Sequence, residues 1–410
     1  MKNFYQSFKV KVNAWMDRVI LFCSKKMVQF NLIRQPRLRR IVISFFRWIG
    51  SLALFVKQFP RLEAYTCQHA LGKFIFLGVE KIECVLFLRQ IDHELNDVDL
   101  EPVGRVYLWA LPKQVDRWLT EGVDAVVCDL SRTYPLAFNT NYQIKTPIII
   151  EQVIYLPDSA EAFLSGSKFR ELRRRIYQAQ RSNITYRFSQ EKSDFDNFHY
   201  HMYLPYIQKR HGDFADINDY EAQWKEFQKG GLVMVCKDDQ TIAGSLVQSA
   251  EDFAIGLEGG VLDVDPDLLP KNVYSLMFWA CIEWALAKGA KRFDLGTTYA
   301  SRNNGIFRFK KSFTARVESQ PRFIFPNRMI LMNHPSAGLV SALNETGWIY
   351  EKNGKHFGVI LDESQDLAHD GYAKDLDRAV GDGLDGIVVL KPKQKKFIEA
   401  PDKSSLQGIK

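Results

Sequence analysis

The spacing of apolar residues between positions 63 and 330 alternates between the pattern of strands and the pattern of helices. Short apolar, β-branched runs predict strands, and apolar residues at three- and four-residue steps predict helices. In the first half of this region the amphipathic segment Pro112–Thr120 predicts a helix among five strands. The strand segments are Phe74–Val79, Cys84–Leu88, Val106–Trp109, Val123–Asp129 and Thr146–Val153.

The second half of this region predicts a mixed sheet. Ser165–Arg181 predicts a helix capped by Ser167, and Gly231–Cys236 with Thr241–Ser249 predicts a hairpin of two antiparallel strands. We expect the strand Phe253–Leu262, the crossover helix Asn272–Lys288 and the strand Arg292–Leu295 to form a right-handed parallel unit. We therefore expect an α/β fold, with helices on the faces of a mixed sheet. Among the later segments, those that predict strands are Phe253–Leu262, Arg292–Leu295 and Val317–Phe325. Those that predict helices are Asn272–Lys288 and Asn304–Phe313.

A third pattern lies in an N-terminal arm. Ile41–Val56 is apolar except for Arg47 and two serines. At 1.5 Å per residue its helix spans about 24 Å, which is shorter than the ~30 Å hydrocarbon core of a bilayer. The pattern favours a basic, aromatic-rich helix that lies in a membrane interface. A core helix with a basic outer face, a short single span and a mitochondrial presequence are the competing interpretations. One helix face carries Ile41, Phe45, Trp48, Leu52, Phe55 and Phe59.

Charge separates this arm from the rest of the chain. Of the 410 residues, the first 62 contain 13 Lys and Arg and one acid, Asp17, which gives a net charge of +12. The other 348 residues contain 42 basic and 47 acidic residues, which gives −5. Such an arm predicts a phosphate-bearing partner, either an anionic membrane surface or nucleic acid.

The overall composition excludes several classes of protein. With 46% hydrophobic and 25% charged residues the chain is neither collagen-like nor wholly disordered. Its six cysteines are scattered without a CxxC pair, which argues against a disulfide framework and favours a reducing cytoplasm. His199, His201 and His211 lack a nearby cysteine or an HExxH helix, so we expect no metal site.

Seven sequence features between residues 160 and 325 occur in an order that is typical of one enzyme superfamily. They are Arg170–Arg181, Tyr206–Gly212, the hairpin Gly231–Gly244, Gly256–Gly260, Trp284–Gly289, Phe293–Gly296 and Asn304–Phe313. On these residues the chain resembles the GNAT acyltransferase superfamily, and most of all its Fem-type branch, the peptidoglycan-bridge aminoacyltransferases and their CelD-like relatives. The resemblance implies a GNAT-superfamily N-acyltransferase, built from two tandem GNAT-like domains.

The predicted domain organisation has four segments. Residues 1–62 are a basic amphipathic arm, and residues 63–155 are a degenerate N-terminal GNAT-like domain. Residues 156–328 are the GNAT/Fem-type acyltransferase domain. Residues 329–410 are a C-terminal appendage with an acidic block and a basic tail.

One stretch departs from the GNAT pattern. Members that use acyl-CoA usually carry a glycine-rich turn before the central helix, whose backbone N–H groups point at the pyrophosphate. Here Asp265–Asn272 contains two prolines, two acids and no glycine. The resemblance therefore leaves acyl-CoA, acyl-carrier protein and aminoacyl-tRNA open as donors, with no tightly bound cofactor expected. The alternatives are a non-catalytic GNAT-fold binding module at the membrane and a membrane-surface structural protein.

Amide formation needs a deprotonated amine, a donor carbonyl and a group that stabilises the oxyanion. Glu258, set among glycines, is the candidate base or amine-positioning group, with an exposed strand carboxylate as the alternative. Asp294 ends a strand at the sheet edge where α/β ligands commonly bind, with a cap for Thr297 or Thr298 as the alternative. Tyr299 is the candidate proton donor to the leaving group, with loop packing as the alternative.

Basic residues supply the candidate substrate contacts. The helix Arg170–Arg181 and the short helix after Asn304 could each hold phosphates of donor or acceptor, and solvated basic faces are the alternative. We therefore expect an acyl- or aminoacyltransferase that forms an amide at the cytoplasmic membrane surface. In this interpretation the basic arm binds the membrane or, for an aminoacyl-tRNA donor, tRNA. The candidate substrate-binding residues are Arg174, Tyr274, Asn304, Arg308, Lys310 and Lys311.

Overall fold

The structure is a computed structural model, in which residue contacts divide the chain into two units. Unit 1 comprises Met1–Ile150, Thr298–Arg308 and Val317–Lys410, and unit 2 comprises Glu151–Thr297 and Phe309–Arg316. The described residues are 15–16, 18–20, 22–23, 41–42, 44–46, 48–53, 61–95, 98–131, 138–211, 217–238, 240–250, 252–262, 272–318, 327–362, 369–391 and 396–402.

The helices and strands follow one another along the chain in mixed order. The helices are α1 (within 15–23), α2 (within 41–53), α3 (Lys81–Ile91), α4 (Leu111–Thr120), α5 (Ala160–Ser165), α6 (Arg170–Arg181), α7 (Lys192–Asn197), α8 (Leu204–His211), α9 (Tyr220–Lys229), α10 (Val273–Ala287), α11 (Gly305–Lys311), α12 (Ala337–Thr346) and α13 (His369–Gly381). A π-helical turn, Phe198–Tyr203, lies between α7 and α8, and 3₁₀ turns lie at Leu108–Ala110 and Ser167–Phe169.

The strands are β1 (Arg61–His69), β2 (Gly72–Leu77), β3 (Glu101–Tyr107), β4 (Ala125–Leu130), β5 (Tyr142–Pro147), β6 (Ile149–Tyr155), β7 (Ile184–Ser189), β8 (Gly230–Lys237), β9 (Gln240–Ala250), β10 (Phe253–Val261), β11 (Arg292–Tyr299), β12 (Arg316–Glu318), β13 (Asn327–Met332), β14 (Ile349–Lys352), β15 (Lys355–Leu361), β16 (Gly386–Lys391) and β17 (Lys396–Ala400). Among the described residues no helix is both long and apolar enough to cross a membrane.

Unit 1 contains a six-stranded sheet in the order β3-β1-β2-β4-β13-β5 and a four-stranded sheet in the order β14-β15-β16-β17. β4 is buried along its whole length, because its alternate side chains pack into two different apolar clusters. β13, from the C-terminal part of the chain, pairs antiparallel with both β4 and β5. This grouping differs from the four predicted segments, because residues after 326 complete a sheet and core begun before residue 150.

Unit 2 is built on a seven-stranded sheet in the order β12-β6-β11-β10-β9-β8-β7. α10 is apolar on nearly every side and is buried, and its side chains form the main core of the unit with both the sheet and α6. β8 and β9 form the predicted antiparallel hairpin. β10 and β11, joined through α10, are parallel as predicted. The expectation of an α/β fold with mixed sheets is confirmed.

Three local predictions were incomplete or wrong. The predicted strand Cys84–Leu88 is part of α3, because a short apolar run cannot by itself distinguish a strand from the buried face of a helix. Thr146–Val153 forms parts of two strands, β5 and β6, rather than one. Ser167 lies in a 3₁₀ turn, and the residue before α6 is Phe169 rather than a capping serine.

Candidate active site

The candidate site lies where two parallel strands of unit 2 stop pairing. β10 and β11 pair from Phe253 with Arg292 to Ile255 with Asp294. Both strands continue beyond these pairs, β10 to Val261 and β11 to Tyr299, without further pairs to each other. Backbone N–H and C=O groups that no longer pair across the two strands can bind a ligand instead.

Lys310 brings a buried amine to this region. α11 carries its side chain inward, where its Nζ donates a hydrogen bond of 2.8 Å to the Thr297 carbonyl of β11. The amine also lies beside Gly296, 3.9 Å from the position that a Cβ would take there. Burial lowers the pKa of Lys310 to about 7, although the negative charge of Glu151 acts in the opposite direction. Lys310 can therefore exist as a neutral amine near neutral pH.

Asp294 shapes the same part of β11. Its side chain is buried, and its Oδ1 accepts a 2.6 Å hydrogen bond from the backbone N–H of Gly296. Gly296 has a φ of 78°, a conformation that favours glycine. Asp294 and Lys310 thus contact neighbouring backbone groups of one short stretch. This hydrogen bond makes Gly296 a capping partner of Asp294.

Glu258 lies on β10, three residues beyond the last pair with β11. It is half-buried, and its Oε1 accepts a 2.6 Å hydrogen bond from Asn218 Nδ2. The backbone N–H of Asn218 in turn donates to the Tyr203 hydroxyl at 3.0 Å. Of the nearby glycines, Gly260 serves packing, because a Cβ there would lie 2.5 Å from the Met202 backbone in the π-helical turn.

Three of the remaining candidates, Tyr299, Asn304 and Arg308, belong to unit 1. Burial raises the pKa of Tyr299 to about 12, so its hydroxyl releases a proton less readily than an ordinary tyrosine. Asn304 begins α11, since its Oδ1 accepts from the backbone N–H groups of Ile306 and Phe307. Arg308 is exposed, and its Nη2 donates to Asn303 at 3.1 Å.

Arg308 and Lys310 do not share a face of α11. Successive residues of a helix are turned by about 100°, which sends Lys310 into the interior while Arg308 faces outward. Lys311 and Tyr274 are both half-buried in unit 2. The Tyr274 ring lies 6.2 Å from that of Tyr206.

Arg174 belongs to a separate basic groove on α6. The groove has a volume of about 870 Å³. Glu171 orients Arg174 through two hydrogen bonds, of 2.7 and 2.9 Å, and these bonds lower the pKa of Glu171 to about 2. Tyr177 is 61% exposed at the groove. The lining residues are Ser167, Arg170, Glu171, Arg173, Arg174, Tyr177, Gln178 and Arg181.

The sequence of residues 166–311 matches the acetyltransferase (GNAT) domain family. These residues form a GNAT acetyltransferase domain. The match contains all nine candidate residues, and it confirms the prediction of a GNAT-superfamily N-acyltransferase. No curated protein sequence matches the chain.

Several solved structures are similar to part of this chain. FemX has a TM-score of 0.36 at 12% identity, over 69% of this chain and 90% of its own. The C-terminal DUF2156 domain of a lysylphosphatidylglycerol synthetase from Agrobacterium fabrum has a TM-score of 0.33 at 13% identity, over 71% and 89%. L-PGS from Bacillus licheniformis has a TM-score of 0.32 at 13% identity, over 73% and 91%. These similarities are partial and identify no substrate.

The sequence did not reveal several residues that contact the candidate site residues. Glu151 acts on Lys310 from β6, far away in the sequence, and no motif marks it. Asn218 lies outside the helices and strands, so no periodic pattern of apolar residues marks it. Glu171 is visible in the sequence as a residue near the first turn of a helix. Its spacing of three residues from Arg174 is the signal that could have revealed the contact between them.

Proposed function

We propose that the GNAT domain transfers an acyl group from an activated carrier to an amine, forming an amide beside the diverging ends of β10 and β11. The observation that supports this most is Lys310, a buried amine with a pKa of about 7 that contacts the Thr297 carbonyl. A group whose pKa lies near the working pH is suited to general acid–base catalysis. Perturbed pKa values also concentrate at functional sites.

In the proposed reaction the acceptor enters as an ammonium ion and must lose a proton before it can attack. Neutral Lys310 takes this proton, and the free amine then attacks the donor carbonyl. The N–C bond forms while the C–S or C–O bond to the carrier breaks, and the Lys310 ammonium gives its proton to the leaving group. The neutral Lys310 regenerated in this step then accepts the second proton, which the new amide nitrogen loses, and releases it to solvent. Backbone N–H groups of β10 and β11 beyond the last pair between the two strands stabilise the oxyanion, and Glu258, held by Asn218, positions the acceptor ammonium.

We assign the basic groove on α6 to the phosphates of the donor carrier. Acyl-CoA, acyl-carrier protein and aminoacyl-tRNA all carry phosphate. At 1.5 Å per residue, Arg170, Arg174 and Arg181 lie at steps of about 6 and 10 Å along α6. Guanidinium groups bind phosphate well, because their planar donors match its oxygens. The resemblance to Fem-type enzymes makes aminoacyl-tRNA the first donor to test.

We also place the enzyme at the cytoplasmic face of a membrane. The charge of +12 in residues 1–62 supports this placement, since anionic lipid attracts Lys and Arg. At this surface the enzyme would meet a lipid-linked or amphipathic amine. The same charge could instead bind tRNA, and the two uses differ in salt dependence, because nucleic-acid binding falls steeply with salt.

The proposed activity is tested with full-length protein and the three donor classes against a panel of amines, with the amide detected by mass spectrometry. Lys310→Met removes the proton acceptor and should lower kcat by at least about 100-fold. Glu258→Gln should raise KM for the amine. Lys225→Ala, at an exposed lysine on α9, is the matched control and should keep wild-type activity.

The outcome of this screen separates the enzyme from the binding module. Donor binding without turnover in the wild type would support the binding module. Equal turnover by wild type and Lys310→Met would contradict the assigned role of Lys310.

The pH profile tests the same lysine independently. The reactive form is the neutral amine, so kcat/KM should rise with pH and level off above about 7. Glu151→Gln removes a carboxylate that raises the pKa of Lys310, so the rise should move to lower pH, by about one unit. An unchanged profile in Glu151→Gln would show that another group titrates.

The groove is tested by Arg174→Ala, which should raise KM for the phosphate-bearing donor about tenfold or more and leave KM for the amine unchanged. The matched control is Arg117→Ala, another exposed helical arginine that pairs with a glutamate. A change in KM for the amine alone would place the acceptor, rather than the donor, in the groove.

A further inference from the structure

The N-terminal arm contains two helices that pack on each other through one side. Val19, Ile20 and Cys23 of α1 form a cluster with Phe46 and Ile49 of α2, and within it Cys23 is only 1% exposed. α2 also contacts the rest of unit 1 through a buried 2.8 Å hydrogen bond, which Ser131 Oγ donates to the Ser51 carbonyl. The inner sides of both helices are therefore occupied by protein.

The outer sides of the same helices are apolar and exposed. At about 100° per residue, positions 41, 45, 48 and 52 fall within about 60° of one another on α2, and positions 15 and 22 share a side of α1. Their side chains are large, and exposed apolar side chains grouped on one side of a helix mark an interaction surface. We call it the outer face: Trp15 (54% exposed), Phe22 (53%), Ile41 (66%), Phe45 (55%), Trp48 (58%) and Leu52 (42%).

We infer that the outer face inserts into the interfacial region of an anionic lipid bilayer, with α1 and α2 lying along its surface. This inference rests on the membrane location proposed above and names the surface responsible. Aromatic and aliphatic side chains on one side of a basic helix are the composition of interfacial helices, and tryptophan favours the headgroup level.

Charge selects the bilayer over a second copy of the chain. From Arg18 to Leu62 the sequence contains no acidic residue, so two arms packed face to face would bring like charges together. An anionic surface instead complements the arm, and the lysines and arginines beside the inserted side chains would contact lipid headgroups.

The test is flotation of full-length protein with vesicles of phosphatidylglycerol and phosphatidylcholine, compared with phosphatidylcholine alone. The double variant Phe45→Ser/Trp48→Ser should bind anionic vesicles about tenfold or more weakly than wild type. The control Val103→Ser/Trp109→Ser removes two exposed apolar side chains elsewhere and should float like wild type. Wild-type binding should survive high salt in part, because the apolar contacts are not screened.

Two results would overturn the inference. One is equal flotation of the wild type and the Phe45→Ser/Trp48→Ser variant. The other is a wild-type dimer that this variant converts to monomer without any vesicle binding by either, which would assign the outer face to a second copy. Turnover of a water-soluble amine, measured on the same proteins, tests the transferase separately: the arm variant should retain it, whereas Lys310→Met should lose it and still float.

Discussion

Replacing Lys310 with methionine should stabilise unit 2 at neutral pH while it abolishes catalysis. Burial lowers the pKa of Lys310 from an ordinary 10.5 to about 7, and each pKa unit corresponds to about 1.4 kcal/mol. The folded state is therefore penalised, relative to an unfolded chain in which the lysine is charged. The penalty is about 5 kcal/mol at low pH and about 4 kcal/mol at pH 7.

The size of this penalty depends on pH, over a window set by the unfolded and folded pKa values of Lys310. Because the folded pKa is depressed, the wild type is most stable above about 10.5, loses stability as pH falls, and reaches its full penalty below about 7. Methionine has no such titration, but its introduction leaves the Thr297 carbonyl without its donor, at a cost of about 1–3 kcal/mol. At pH 7 the variant should be about 1–3 kcal/mol more stable than wild type.

Urea unfolding at pH 7 and pH 10 measures the difference in stability between the variant and the wild type. Unfolding is monitored by the fluorescence of Trp279 and Trp284, which are buried in the core of unit 2. Between these pH values the advantage of the variant should shrink by about 3 kcal/mol, whatever the lost hydrogen bond costs. Lys225→Met, at an exposed site on α9, should show no such change. A variant that is equally destabilised at both pH values would refute the buried-amine argument.

Two further substitutions test the packing of each unit. Gly260→Ala places a Cβ 2.5 Å from backbone and should destabilise unit 2 by about 2–3 kcal/mol, whereas Gly305→Ala meets no atom within 4 Å and should change stability by less than about 0.5 kcal/mol in the same urea assay. Arg328→Met leaves Asp129 buried without its 2.7 Å partner and should cost unit 1 about 3–5 kcal/mol in thermal unfolding. Arg105→Ala, from an exposed pair, should cost less than about 1 kcal/mol; equal losses from both would contradict the burial argument.

Local patterns in the sequence were sufficient for much of unit 2. The hairpin of β8 and β9, the apolar α10 and the parallel pairing of β10 with β11 were all predicted, because hydrophobic period, turn residues and connection handedness are properties of short segments. The family was also predicted, since its motifs lie on these segments. The charge contrast between the arm and the body is a count that needs no fold.

The chemistry of the site depended on tertiary structure. Arg308, Lys310 and Lys311 look alike in sequence as one basic helix, yet only Lys310 is turned into the core, where loss of water lowers its pKa. Likewise, the sequence does not show that β13 pairs with β4 and β5, or that α1 covers one side of α2. A periodic pattern tells which side of an element is buried, but the identity of its neighbours, and hence its electrostatic surroundings, is decided by contacts between residues far apart in the chain.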